Sequence, residues 1–93
     1  MTRIRIKGLV WDDWNLRHIK KHSVEKLEIE ETVENLYYHK RTYGNRYLLV
    51  GRSGSRLIAV VLKRQERTIY YVVTARDASR KERRKVYDKE KNK

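Results

Sequence analysis

The sequence predicts an α+β domain: an N-terminal strand and two helices, then an antiparallel β-meander of three to four strands, then a C-terminal helix. Three observations carry that prediction. Apolar residues recur at helical spacing before residue 37 and alternate with polar ones after it. Gly44-Asn45 and Ser53-Gly54-Ser55 punctuate the alternating part with turn signals. Ser79 and Glu82 then form an S-x-x-E capping pair at the head of a basic segment.

Taken in order, residues 3–7 alternate charged and apolar side chains, which predicts a short strand that Leu9, Val10 and Trp11 extend past Gly8. Asp12 or Asp13 caps a first helix with Trp14, Leu16 and Ile19 as its apolar contacts, ending near His22 with Lys20, Lys21 and His22 against the negative end of the helix dipole. Ser23 or Glu25 opens a second helix. Its stripe is Ile29, Val33 and Leu36, and its five glutamates are expected to face water.

Strands over 37–43 and 46–52 are joined by Gly44-Asn45, which suits a tight hairpin because glycine accepts positive φ. Residues 51–54 read as the next turn. The run Leu57-Ile58-Ala59-Val60-Val61-Leu62 is apolar at every position, so the strand over 56–63 is expected at the centre, covered on both faces. A last strand covers 68–75, which leaves Arg76 just beyond it. On the final helix Arg80, Arg83 and Tyr87 share one face, while Glu82 and Val86 share another. With no proline and four glycines there is no linker, so residues 1–93 form one domain whose residues 89–93 are a frayed tail.

Charge narrows the function. The chain carries 24 Lys and Arg against 12 Asp and Glu, a net charge of +12, and its acidic residues concentrate in the second helix. A basic domain of this kind is suited to a polyanion, nucleic acid above all. Without cysteine there are no disulfides, thiolate metal sites or cysteine nucleophiles, which fits a reducing, cytoplasmic setting. No run of roughly 20 apolar residues is present, so no membrane association is expected. The phosphate-binding loop, the dinucleotide fingerprint and the nucleophile elbow are all missing. His18 and His22 stand at i, i+4, yet Lys20 and Lys21 lie between them and no H-E-x-x-H pattern exists, so no metal or other cofactor is expected.

The remaining chemistry is that of guanidinium, ammonium, phenol and imidazole. Arg76, Arg80, Arg83 and Tyr87 follow one another from the last strand into the last helix, and Arg41 and Arg52 fall near strand ends of the first hairpin. Sharing one groove, they would grip phosphate and stabilise the charge of a pentacoordinate transition state. RNA supplies its own nucleophile, the 2′-hydroxyl, so cleavage needs a base and an acid. Imidazole is the side chain whose ordinary range lies nearest neutrality, which makes His22 one candidate; Tyr87 or a lysine is another. Crowded positive charge is expected to lower the pKa values of nearby lysines and phenols. The catalytic candidates are thus Arg76, Arg80, His22 and Tyr87, and the RNA-holding candidates Lys21, Lys40, Arg41, Arg52 and Arg83.

Trp11-Asp12, Asn15, Lys21-His22, Val24, the acidic second helix and the run 74–84 ending before Tyr87 resemble the BrnT toxins of bacterial type II toxin–antitoxin systems. The resemblance implies a RelE-like fold, metal-independent cleavage of RNA, and neutralisation by a cognate protein antitoxin through which alone operator DNA is engaged. Lys21-His22, Arg76, Ser79-Arg80, Glu82 and Tyr87 are the matching positions. The alternative is a non-catalytic nucleic-acid-binding module, or an inactive toxin relative that serves as a complex partner.

Overall fold

A computed structural model of the chain describes residues 4–91. Its elements, in order, are β1 (Gly8–Val10), α1 (Asp13–Lys21), α2 (Lys26–Glu34), β2 (Leu36–Arg41), β3 (Arg46–Ser53), β4 (Arg56–Arg64), β5 (Ile69–Asp77) and α3 (Arg80–Lys91). The five strands form one sheet in the order β1-β5-β4-β3-β2. The all-apolar strand β4 is central, as its composition predicts, and strands β2 to β5 are an antiparallel meander of four. β1 joins the far edge parallel to β5, with Gly8, Leu9 and Val10 opposite Ile69, Tyr70 and Tyr71.

Each face of the sheet has its own core. On one, Ile58, Val60, Leu62, Leu49 and Val72 pack with Ile19 of α1 and Ile29 of α2; on the other, Val50, Leu57 and Ala59 pack with Ala78 and Val86. Alternation along β4 thus feeds both faces, which requires every position between 57 and 62 to be apolar. Val86 is the single fully buried residue of α3 and its apolar anchor in the core.

Several expectations are corrected. The first strand occupies residues 8–10, and residues 4–7 are irregular; Arg3 falls outside the described residues. On α1 the inward residue besides Ile19 is Asn15, whereas Trp14 is 53% exposed. The buried amide is satisfied: Asn15 Nδ2–H donates to the Val10 carbonyl at 2.9 Å, and Asn15 Oδ1 accepts from the Asp12 N–H at 2.9 Å. Leu36 begins β2 instead of closing the helical stripe. β5 continues through Asp77, so Arg76 belongs to the strand. The final helix runs to Lys91, past the expected onset of fraying, while residues 92 and 93 are outside the described part.

Nor do all five glutamates of the second helix region face water. Glu28 accepts twice from Arg56 Nη1 at 2.9 Å, and Glu31 accepts from the Ser53 hydroxyl at 2.6 Å. The acidity of α2 is in part a seam to the basic sheet.

Local signals explain the boundaries. The Ser23 N–H donates to the Lys20 carbonyl and the Val24 N–H to the Ile19 carbonyl, a Schellman closure of α1 with Ser23 at φ 58 and the apolar pair Ile19 and Val24 buried beneath it. Gly44 and Asn45 both take positive φ, 66 and 58, as a type I′ turn requires. The next turn centres on Gly54 and Ser55, leaving Gly51 inside β3.

Candidate nucleic-acid interface

β5 hands the chain to α3 through a joint that the sequence marks clearly. The Glu82 N–H donates to the Ser79 hydroxyl at 3.2 Å, and Glu82 Oε1 accepts from the Ser79 N–H at 2.8 Å, closing the predicted capping box. The same carboxylate serves Arg76. Arg76 Nη1 and Nη2 donate to Glu82 at 2.7 and 3.1 Å, a bidentate pair that leaves the guanidinium 44% exposed and the carboxylate 13% exposed. Arg76 holds the Glu82 carboxyl below its ordinary pKa, and Glu82 raises that of Arg76.

A bulge in β2 adds two phenols to this face. Register slips between Leu36 and Tyr38, so Leu36 packs into the α1/α2 core while Tyr37 and Tyr38 both pack against the α3 core. Tyr37 Oη donates to Glu90 of α3 at 2.6 Å, and Arg52 donates to the same carboxylate at 3.0 and 3.2 Å. The Lys85 ammonium sits 4.4 Å from the centre of the Tyr38 ring. Burial raises the Tyr38 phenol, Glu82 adding to the effect and Arg76 opposing it. Tyr70 and Tyr71 are also raised, burial first among the causes, so desolvation outweighs the crowding of positive charge that was expected to lower phenols.

Beyond α3 this face of the sheet is open. By register Lys40, Leu48, Val61 and Thr74 cross it in one row, with Leu48, Val61 and Thr74 half-buried and Lys40 exposed. Arg46 and Lys63 form the next row with Tyr71. The result is a shallow surface of partly apolar floor and cationic border, walled by α3, with Arg76, Tyr38 and Lys85 at the wall.

The predicted site residues divide among three places. Arg76 and Lys40 are on the open face. Arg52 is on that face too, tied to Glu90 behind the helix. Arg80 and Tyr87 stand on the exposed side of α3, Tyr87 at 52% exposure, and Arg83 adds a small share to the lowering of the Asp77 carboxyl that the Arg56 hydrogen bond mainly causes. Arg41 points to the opposite face and donates to Asn45 at the hairpin tip.

His22 and Lys21 are the larger separation. They end α1 on the other side of the sheet, where His22 meets His18 edge-to-face at 5.5 Å. Consecutive residues explain the split: Arg76 points to the α3 side, and Asp77 to the α1/α2 side. There Arg56 donates to Asp77 at 2.7 Å, to the Ser23 carbonyl at 2.8 Å and to Glu28, joining α1, α2, β4 and β5. Of the residues expected to share one groove, Arg41 also lies on the face away from Arg76, so they do not all line one surface. Sequence reasoning also missed Tyr38, Lys85 and Arg56; only the bulge and the long-range pairing reveal them.

Among the described residues no group of three or more His, Cys, Asp or Glu is placed to hold a metal ion, and no helix is long and apolar enough to cross a membrane. No protein-family profile and no curated protein matches the sequence. Among solved structures, the crystal structure of the Brucella abortus ribonuclease toxin BrnT is similar, with a TM-score of 0.65 and 24% identity over 78% of this chain and 97% of that one. The fold is BrnT-like. Nearly all of BrnT is matched, so the shared architecture is that of a whole domain.

Proposed function

We propose that this chain is the ribonuclease toxin of a type II toxin–antitoxin pair, cleaving RNA without a metal through attack of the 2′-hydroxyl. The observation that carries the reading is a cationic, open sheet face walled by α3 on a fold shared with a ribonuclease toxin. Arg76 is its centre. A guanidinium has five N–H donors; three of those of Arg76 go to Glu82 and the Asp77 carbonyl, and two remain for a phosphate. Glu82 fixes the plane of the group before substrate arrives, which is what stabilising a developing phosphorane charge demands.

In the proposed reaction a base, Tyr87 or solvent, takes the 2′-hydroxyl proton as the 2′-oxygen bonds to phosphorus, the 5′-oxygen leaves with a proton from an acid, and the other fragment ends as a 2′,3′-cyclic phosphate. Arg76 and Arg80 stabilise the phosphate, Lys40, Arg52 and Arg83 hold the flanking strand, joined by Lys85, and Arg41, on the opposite face, meets RNA only where the strand passes the hairpin edge. The position of His22 across the sheet favours a phenol for proton transfer near Arg76. Tyr38, kept neutral by burial, is a suitable donor, and Tyr87 is the candidate already named. His22 and Lys21 then serve strand contact on the far side. A cognate antitoxin with an acidic segment would compete for the same cations.

A second reading draws on the pairing of Arg76 and Arg52 with carboxylates: a binder that holds RNA uncut. Purified protein incubated with RNA in EDTA separates the two. New 2′,3′-cyclic phosphate ends that fall about 100-fold or more in Arg76→Ala support the ribonuclease. Bound but intact RNA, with and without ribosomes, rejects it in favour of the binder.

A further inference from the structure

At the opposite end of the sheet from Arg76, on the α1/α2 side, a cavity of about 990 Å³ opens beside the β4–β5 turn. Its rim carries Arg5, Lys7, Arg64 and Arg67, all exposed, and no carboxylate lines it among the described residues. None of these four cations makes an ion pair with a described residue. Four like charges converge on one mouth with no ion-pair partner among the described residues, whereas Arg52, Arg56 and Arg76 are each neutralised.

The floor is of different character. Val33 and Leu36 supply an apolar side, and Tyr47 and Tyr70 meet edge-to-face at 5.7 Å. Tyr70 as a residue is 3% exposed, and its hydroxyl has no hydrogen-bond partner among the described residues. Since no buried side-chain polar atom there is left unsatisfied, that hydroxyl reaches solvent, and the solvent it meets is in the cavity. His39 adds a second polar group beside the rings. Glu30 and Glu34 line a neighbouring groove, so a polyanion entering here is steered toward the β4–β5 turn.

We propose that this cavity binds a nucleoside phosphate unit, its base against the Tyr47 and Tyr70 floor and its phosphate among Arg5, Lys7, Arg64 and Arg67. An apolar, aromatic floor under a cationic rim matches a flat base joined to an anion; a bare phosphate would leave the floor unused, and an aliphatic ligand the rim. The unit is either a free nucleotide or one residue of an RNA strand, and the site stands apart from the surface around Arg76 and does not depend on cleavage.

Two probes distinguish the sources: AMP, and a pentanucleotide RNA with 2′-O-methyl groups, which cannot be cut by 2′-oxygen attack. Binding is followed by amide chemical shifts and by anisotropy of the labelled pentamer, in wild type, in Arg64→Gln/Arg67→Gln, and in the charge-matched control Arg17→Gln/Lys20→Gln. Shifts are expected at Tyr47 and around Thr68 to Tyr70, with affinity falling about tenfold or more in the first variant and little in the control. The salt slope should drop by about 0.7 as one single-strand phosphate contact is lost. Saturation by AMP identifies a free nucleotide, and binding of the pentamer alone identifies a strand residue; either upholds the assignment. Neither probe binding overturns it, as does equal loss in the control, or displacement by an oligoglutamate of the same charge at equal concentration. Because no cleavage is read, RNA cut normally with this cavity silent defeats only this proposal, and occupancy here with RNA never cut defeats only the ribonuclease reading.

Discussion

Replacing Gly51 with alanine should cost this protein much of its stability, for a reason visible in one contact. Gly51 lies in β3 where the end of α2 crosses the sheet, and a Cβ built on it would stand 2.4 Å from the Thr32 carbonyl oxygen and 2.6 Å from that of Asn35. Both are backbone atoms, so no rotamer change relieves the clash, and the last turn of α2 must retreat by about 1 Å to restore ordinary contact. That retreat strains three bonds along the same seam: Arg52 N–H to the Asn35 carbonyl at 3.1 Å, Asn35 N–H to Glu31 at 2.9 Å, and the Ser53 hydroxyl to Glu31 at 2.6 Å. Overpacking of this kind together with a weakened hydrogen bond costs about 3 kcal/mol. For a chain of this size the Tm should fall by roughly 10–25 °C. Thermal and urea unfolding followed by circular dichroism gives the measurement. Gly54→Ala is the control, since nothing lies within 4 Å of its added Cβ and only its φ of +61 is strained; about 1 kcal/mol is expected there. A Gly51→Ala protein that melts with the wild type, or above Gly54→Ala, would refute the close approach of α2 to β3.

Ser23→Gly should stabilise the fold by about 1 kcal/mol, because a left-handed residue at φ 58 closes α1 and the substitution leaves the carbonyl bonded by Arg56 in place; a lower Tm contradicts the Schellman closure. Ser79→Ala should cost about 1 kcal/mol through loss of the α3 cap, read by urea unfolding, and no change would mean that the helix starts elsewhere. Glu28, Glu82 and Asp77 have folded pKa values below their ordinary 4.5, 4.5 and 3.8, so each contributes stability that is complete above those values and lost as pH falls through the folded ones. Stability should therefore decline below about pH 4.5, and the decline should flatten in part in Arg56→Ala: the Glu25 N–H is the larger cause for Glu28 and stays, while Arg56 adds to it and is the leading cause for Asp77. An unchanged acid limb in that variant would show that the pairs do not form in solution.

Much of the fold is legible in the chain because it is encoded within a few residues. The S-x-x-E spacing at Ser79 and Glu82, the two positive-φ residues at Gly44-Asn45, and the unbroken apolar run of β4 are all local, and each appears where the spacing predicts. What is not legible is long-range. Nothing near Glu28 or Glu31 announces Arg56 or Ser53 as a partner, so helical periodicity assigns both carboxylates to water. A one-residue bulge at Tyr37 inverts the alternation of β2 and brings Tyr38 to Arg76, and the parity of a strand cannot be read through a bulge. The same parity, applied to Lys40 and Arg41, sends two of the proposed RNA-holding residues to opposite faces.

The parallel pairing of β1 with β5 also orders the birth of the molecule. A chain emerging from its N-terminus can zip β2, β3 and β4 by short hairpins as they appear, but β1 has no neighbour until the penultimate element has been made. Until then the segment from Ile4 to Val10 is unclasped, and the amide of Asn15 holds α1 to a strand that is itself unmoored. The cavity between that segment and the β4–β5 turn comes into being only in this last step.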